Sequence, residues 1–311
     1  MTAALTPVAA CWVCGGPRLE RVHDARLELS EYRTQDPELA AYSGRRVAIV
    51  RCQACGFAQP ASLPALPRFF DRMYDQRWSA EWVEREHRAE YKDRIFDGVL
   101  SVLERQLPRN RRRLLDIGAH AGRFIARARA RGWDADGLEL NPRTAAYAAA
   151  ASGGRVHHGN LDTWSPAGAG YDAITMTDVL EHIPDPRAAL RRAHALLAPG
   201  GWIAVKVPNA PVQRLKESVR SRLRRGYQPA LADNLVHVNH FGPGSLRTAL
   251  QREGFDAVDV RVAAPEMPEG TGIGSRTDRV ARTLAYRVAG SIPGGTRTPL
   301  AFNLQAYARR D

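Results

Sequence analysis

Residues 114–124 read LLDIGAHAGRF: an apolar run closing on an acid, glycines at 118 and 122, then a helical pattern. An apolar run that passes through a glycine-bearing turn into a helix is a strand feeding a helix, and parallel α/β sheets bind ligands at such turns. The turn excludes two ligand classes. A dinucleotide fingerprint needs glycines at relative positions one, three and six, and counting from Gly118 the chain supplies His120 and Arg123 at the last two. A P-loop fails as well, because Arg123 and Phe124 stand where Gly and Lys belong. What remains is Asp116, two residues before Gly118, on a turn that brings a helix N-terminus to a ligand. That combination suits a ligand with an amine and no pyrophosphate.

From Arg113 onward apolar runs alternate with helical stretches: strands at 113–117, 135–140, 155–158, 171–176 and 201–207, helices at 121–131, 142–151 and 186–197. This alternation predicts a parallel, doubly wound sheet. Pro199-Gly200-Gly201 reads as the turn into the last of these strands, and Pro243 starts a helix that ends near Gly254. The strand FDAVDVRV follows, then an irregular stretch with a helix at 277–289, then a closing strand in LAFNLQAYARR. Ahead of the sheet, apolar residues at helical spacing between Ser79 and Leu107 predict one helix over the sheet edge or the ligand.

LLDIGAHAGRF resembles the first motif of class I S-adenosylmethionine-dependent methyltransferases, roughly hydrophobic-Asp-x-Gly-x-Gly-x-Gly, with His120 in place of the middle glycine. YDAITMTDVLEHIPDP (Tyr171–Pro186) and APGGWIAVKVPN extend the resemblance to Asn209 and are similar to the small-molecule branch that includes ubiquinone-biosynthesis O-methyltransferases. The resemblance implies a Rossmann-like, mostly parallel seven-stranded sheet whose last strand is antiparallel. It also implies S-adenosylmethionine as cofactor. Asp116 is expected to anchor the turn and receive the cofactor's ammonium, while the amide of Gly118 and the helix start at Gly122 face its carboxylate. Glu139, 23 residues after Asp116, is expected to accept the ribose hydroxyls. Asn160 and Asp162 in HHGNLDTW are candidates for the adenine amine, and the fourth strand delivers Thr177, Asp178, Glu181 and His182 to the ligand end of the sheet. If the methyl acceptor has a proton to lose, His182 is the first candidate base and His240, in HVNHFGP, the second.

The four cysteines form two pairs, Cys11-x-x-Cys14-Gly and Cys52-x-x-Cys55-Gly, with none left over. Such pairs predict tetrahedral thiolate ligation of a structural zinc, closed by four protein ligands. The expected organisation is a zinc-ribbon-like module over 1–60, a helical linker or cap over 61–110 and the cofactor-binding domain over 111–311, with a basic lid inserted at 211–233. Pocket residues for the acceptor are expected from that insertion and from 265–298.

The formal net charge is +12, yet only Lys92, Lys206 and Lys216 are lysines among 45 basic residues, so arginine bias dilutes the nucleic-acid signal. No stretch approaches membrane-span length, the first ten residues lack the features of a signal peptide, and a cytoplasmic protein is expected. The leading expectation is methylation of a small molecule at oxygen. RNA methylation is disfavoured because the fourth strand leads to TDVLEH and not to an Asn-Pro-Pro-aromatic motif. Sugar C-methylation, suggested by CQACGF, is disfavoured for want of a further large domain after the sheet. A catalytically silent binding module with His120 across the turn is the remaining alternative.

Overall fold

The computed structural model describes residues 3–75, 79–166, 168, 170–223, 235–268 and 273–311. The chain begins with β1 (Leu5–Pro7), β2 (Leu19–Arg26), a short α1 (Pro37–Ala40), β3 (Arg46–Cys52), β4 (Ala58–Pro60) and β5 (Ser62–Pro64). Strands β2, β3 and β4 form an antiparallel sheet, and β1 pairs with β5. Three helices follow: α2 (Phe69–Asp75), α3 (Ala80–Arg88) and α4 (Asp93–Gln106).

The single helix expected across 79–107 is therefore two. Ala89 turns extended, its amide still reaching Arg85 O, and α4 starts afresh after Lys92. The break frees Lys92, whose ammonium is drawn 2.8 Å from Asp178 Oδ2. A continuous amphipathic pattern marks which faces are buried but does not reveal a bend between them.

The main sheet is built from β6 (Arg113–Ile117), α5 (Arg123–Ala130), β7 (Asp134–Glu139), α6 (Pro142–Ser152), β8 (Arg155–His158), β9 (Tyr171–Thr177), α7 (Pro186–Leu196) and β10 (Leu197–Pro208). It is completed by α8 (Ala210–Leu223), α9 (Pro243–Arg252), β11 (Phe255–Val262), α10 (Ile273–Ser291) and β12 (Asn303–Arg310). The strand order is β11-β12-β10-β9-β6-β7-β8, with β12 antiparallel to both neighbours and the central strands parallel. This is the doubly wound sheet that the alternation predicts, with the seven strands and antiparallel last strand that the resemblance implies. Its central strands are apolar without alternation because helices cover both faces, and Leu114, Leu115, Ile174, Met176 and Val205 are fully buried.

Local chemistry sets the helix starts. Asn141 and Asp185 accept the first amides of α6 and α7, each with proline at the next position. Pro199-Gly200-Gly201 is a bulge inside β10 and not a turn ahead of it, since Leu197 already pairs with Tyr171 before the register shifts at Trp202. The basic insertion is helical over Ala210–Leu223, and its continuation at 224–233 lies outside the described residues.

The cysteine-bearing segment is packed into the main core. Cys11, Val13, Cys52 and Phe57 belong to the same buried cluster as Leu180, Leu190 and Phe241, with the Phe57 and Phe241 rings 4.9 Å apart. A bridge between Ala58 and His240 joins the two parts through the backbone.

Candidate functional site

Strand order reverses between β6 and β9, and beyond the carboxyl ends of β6, β7 and β9 lies a cavity of about 1400 Å³. It exceeds the roughly 300–1000 Å³ of common small-molecule sites, leaving room for two ligands side by side. Asp116, Gly118, His120, Glu139, Asn160, Asp162, Thr177, Asp178 and His182 all contribute to its wall.

Asp116 is fully buried at the end of β6 and accepts a 2.7 Å hydrogen bond from Thr175 Oγ1. Burial pushes its carboxyl up to about 7 against that hydrogen bond, and nearby Glu139 adds to the rise. The Glu139 carboxylate is fixed by two backbone amides, His120 N to Oε2 at 2.9 Å and Asn141 N to Oε1 at 3.0 Å. Burial raises its pKa and those amides work against the rise. A carboxylate has about four acceptor positions, so two fixed contacts leave capacity for a ligand on the cavity side.

Gly118 is required by shape. Its φ is +73° and an added Cβ would stand 2.4 Å from Val179 Cγ2. Its amide is spent on Leu138 O at 2.8 Å, so the expectation that this amide faces a ligand carboxylate is corrected. Gly122 is off the cavity wall. It caps α5 at φ 76° against Ala148, where a Cβ would stand 2.9 Å from the Ala148 carbonyl, and its role is helix packing. His120 adopts φ 49°, and its ring meets Trp82 of α3 edge-on with centroids 4.8 Å apart. The imidazole thus joins the roof of the cavity. His87 Nδ1, 2.6 Å from Ala121 O, and the Arg123–Asp93 pair hold α3 and α4 against the same turn.

Asp178 is the most heavily paired acid in the site. Burial alone would raise its pKa, but Lys206 Nζ at 2.5 Å from Oδ1 and Lys92 Nζ at 2.8 Å from Oδ2 hold it well below the ordinary carboxylate range. Lys206 also reaches Glu266 Oε1 at 3.3 Å. Asn160 accepts the amide of Asp162 and lies 3.4 Å from Asp71 Oδ2, while Asp162 is exposed at the mouth.

His182 follows the turn after β9. Its Nδ1 lies 2.6 Å from Val236 O and 2.7 Å from Tyr74 Oη, and its Nε2 lies 3.9 Å from Glu181 Oε1. Glu181 is buried beside it with Oε2 lacking a hydrogen-bond partner, and burial together with Asp178 pushes its pKa up to about 8. The His237 ring lies 4.8 Å from that of His182, and burial depresses its pKa to about 4. Glu181, His182 and His237 each bring one ligand atom within 4.8 Å of the others. His240 is not part of this group. It is buried behind the wall near His23, with its amide on Ala58 O, and burial pushes its pKa down to about 3.

The acceptor side also differs from expectation. No described residue of α8 or of 265–298 lines the cavity; its roof comes from Leu63 through Lys92, including Phe70, Tyr74, Trp82 and Tyr91. Phe70, Tyr74 and Trp82 escape sequence reasoning because they sit on helices whose only signal is amphipathic spacing, and Tyr91 because it lies in the break between α3 and α4.

At the opposite end of the chain, Cys11 Sγ lies 3.6 Å from Cys55 Sγ and Cys14 Sγ 3.4 Å from Cys52 Sγ, all four within one cluster. The two knuckles repeat one geometry: Gly15 N donates to Cys11 O and Gly56 N to Cys52 O, with both glycines at positive φ. The hydrogen bond from Cys55 lowers the Cys11 thiol to about 5, and the same contact raises Cys55. A set of four converging thiols with one already acidified fits a soft cation such as zinc.

A family described as "Methyltransferase domain" matches residues 85–260, more than half of the chain. Curated relatives named ubiquinone biosynthesis O-methyltransferase include one from Bordetella avium, 33% identical over 98 residues, which are 30% of this chain and 41% of that protein. One from Ruegeria pomeroyi is 37% identical over 94 residues, 29% of this chain and 38% of that protein. The chain thus spans about two fifths of the length of these relatives. Among solved structures, an S-adenosylmethionine-dependent methyltransferase from Thermotoga maritima, described as a possible histamine N-methyltransferase, superposes with a TM-score of 0.50 at 16% identity, covering 78% of this chain and 100% of that one. At that identity the likeness concerns the fold. With the sheet order, the glycine turn and the family match in agreement, the chain belongs to the methyltransferase-domain family and carries the fold of S-adenosylmethionine-dependent methyltransferases.

Proposed function

We propose that the chain transfers a methyl group from S-adenosylmethionine to the hydroxyl of a small molecule, with His182 taking the hydroxyl proton. The observation that carries this reading is the setting of the His182 ring. A carbonyl oxygen only accepts, so the 2.6 Å contact with Val236 O puts the ring proton on Nδ1 and makes Nε2 the basic nitrogen. The name of the curated relatives supports oxygen as the accepting atom.

The cofactor supplies an activated methyl on a sulfonium. The protein's part is to align the acceptor behind that methyl and remove one proton. The acceptor oxygen gains the methyl, the sulfonium becomes the neutral thioether of S-adenosylhomocysteine, and the hydroxyl proton passes to His182 and then to solvent. In this reading Glu139 accepts the ribose hydroxyls and Asp116 faces the ammonium. Gly118 keeps the turn open, Gly122 starts α5, Asn160 and Asp162 border the adenine, and the ion-paired Asp178 shapes the methionine end. Cys11, Cys14, Cys52 and Cys55 hold a structural zinc that fixes the amino-terminal knuckles against Phe241.

Incubation with methyl-labelled S-adenosylmethionine and, separately, small hydroxylated metabolites, deoxysugars and total RNA tests the reading. Label in an ether of a small molecule is the expected product. Label in RNA or on sugar carbon overturns it.

A second reading has its own observation. Glu181 Oε2 is buried without a partner inside the Glu181–His182–His237 group, and these three side chains suit a divalent cation that would polarise the acceptor hydroxyl. Loss of activity on chelation and its return with magnesium or manganese favours this reading over proton removal by a metal-free His182.

A further inference from the structure

The largest unexplained feature lies outside the cavity. Of the ten exposed large apolar side chains among the described residues, all but Val22 fall within residues 215–302. On α8 they are Leu215, Val219 and Leu223, and on α10 Val280, Leu284 and Val288, each set repeating at four-residue spacing. Four-residue spacing stacks side chains on one face of a helix. Leu223 is 79% exposed, Val280 68% and Leu284 60%.

A surface helix normally turns its apolar face inward. Here α10 docks by its other side: Ala289 is buried, Arg94 of α4 donates to Thr283 Oγ1 at 3.0 Å and lies over the Tyr286 ring, and Arg282 reaches Glu266 O. The apolar stripe is left facing solvent. The two helices are neighbours on the surface, since Lys216 of α8 sits 5.5 Å over the ring of Phe302 and feels the charge of Arg282 of α10.

Charge identifies what would cover this face. Lys216, Arg220 and Arg222 on α8 and Arg276, Arg279, Arg282 and Arg287 on α10 stand against only Glu217 and Asp278, while Arg214 turns inward toward His23 and His240. The core of a protein–protein interface is depleted of charge and enriched in aromatic residues. A nucleic-acid groove has no use for a stripe of leucine and valine. Aliphatic side chains flanked at once by arginines are the pattern of helices that lie in the headgroup layer of a bilayer.

We propose that α8 and α10 together form a docking face for an anionic lipid surface. Leu215, Val219, Leu223, Val280, Leu284 and Val288 enter the boundary between headgroups and acyl chains, and the surrounding basic groups meet lipid phosphates. The contact is peripheral, as no helix among the described residues is long and apolar enough to cross a membrane.

The test is cosedimentation of the full chain with vesicles of phosphatidylcholine alone and of phosphatidylcholine mixed with phosphatidylglycerol. The expected result is binding to the mixed vesicles, weakened by salt, and little binding to the neutral ones. Leu223→Glu with Leu284→Glu, and separately Arg276→Glu with Arg287→Glu, should each lower binding at least about tenfold while the melting temperature and S-adenosylhomocysteine affinity stay unchanged. Absence of binding to both vesicle types overturns the proposal, as does equal binding by the variants. A concentration-dependent dimer that the leucine variant abolishes, without vesicle binding by the wild type, assigns the face to a second copy instead. Retention of RNA in place of vesicles also overturns it.

Discussion

The Nδ1 of His182 lies 2.6 Å from the carbonyl oxygen of Val236, a contact between the turn after the fourth parallel strand and a segment 54 residues later. It fixes which ring nitrogen can take a proton. His182→Ala is expected to lower kcat by about 10²- to 10⁴-fold with a hydroxyl acceptor, while S-adenosylhomocysteine affinity stays within a few-fold. Steady-state kinetics beside calorimetry separates the two, and an acceptor that ionises freely in solution should rescue much of the loss. A near-normal kcat with a neutral hydroxyl would falsify the base assignment.

His240 should behave as a core residue. Its ring is buried behind the cavity wall, and its backbone joins the cysteine-bearing segment to the main domain. His240→Ala is expected to lower the melting temperature and leave kcat/KM within a few-fold. If kcat instead falls a hundredfold or more, by about the loss assigned to a general base, the proton goes to His240 and the assignment moves.

Glu139 presents a carboxylate already oriented by the amides of His120 and Asn141. Hydrogen bonds to a charged group contribute about 1.5–3 kcal/mol each, so Glu139→Ala should weaken S-adenosylhomocysteine at least about tenfold. Glu139→Gln keeps an acceptor oxygen and should lose less. Unchanged affinity in a folded Glu139→Ala protein removes the residue from the cofactor site.

Asp116 ties stability to pH. Its folded pKa of about 7 stands above the unfolded value of about 3.9, so folding favours the protonated acid. That contribution is complete below about pH 4 and is lost as pH rises through about 7. Glu181, pushed up to about 8, acts in the same direction. The cofactor-free protein should therefore melt lower near pH 8 than near pH 5, and Asp116→Asn should flatten the fall. Retaining one pKa unit of the shift, about 1.4 kcal/mol, corresponds to a melting temperature higher by about 2–4 °C near pH 8 in Asp116→Asn. Differential scanning fluorimetry across that range checks the slope, and a mutant curve parallel to wild type refutes it.

The cysteine cluster predicts one zinc per chain by elemental analysis. Cys52→Ser should lose the metal and lower the melting temperature. Gly16→Ala keeps all four ligands but places a Cβ 3.2 Å from Cys14 Sγ and 3.4 Å from Cys52 Sγ, so it should speed zinc release to a chelator. A metal content well below one, with oxidised cysteines, rules the site out.

What the sequence determined by itself is periodic or punctuated. The alternation from Arg113 onward marks the strands and helices of the parallel sheet, because each central strand must be apolar on both faces and each helix on one. The glycine turn and the strand-end acids Asp116 and Glu139 are legible for a similar reason, as a tight turn and a fixed strand end leave few residue types admissible. The pairing of cysteines is legible because two knuckles need the same short spacing. Only the tertiary structure decided which side chains from elsewhere meet these anchors. Trp82 and Lys92 reach the cavity from either side of the break at Ala89 in the helix expected over 79–107, and nothing in its amphipathic pattern registers a bend, while Tyr74 comes from the separate α2. His237 meets His182, and His240 does not, although only Val238 and Asn239 stand between the two, because the chain turns between a cavity wall and a backbone bridge to Ala58. The exposed stripes on α8 and α10 carry the same four-residue spacing as any core-facing helix. Which face a helix buries depends on where its neighbours stand, and that is information about the fold held by no short stretch of sequence.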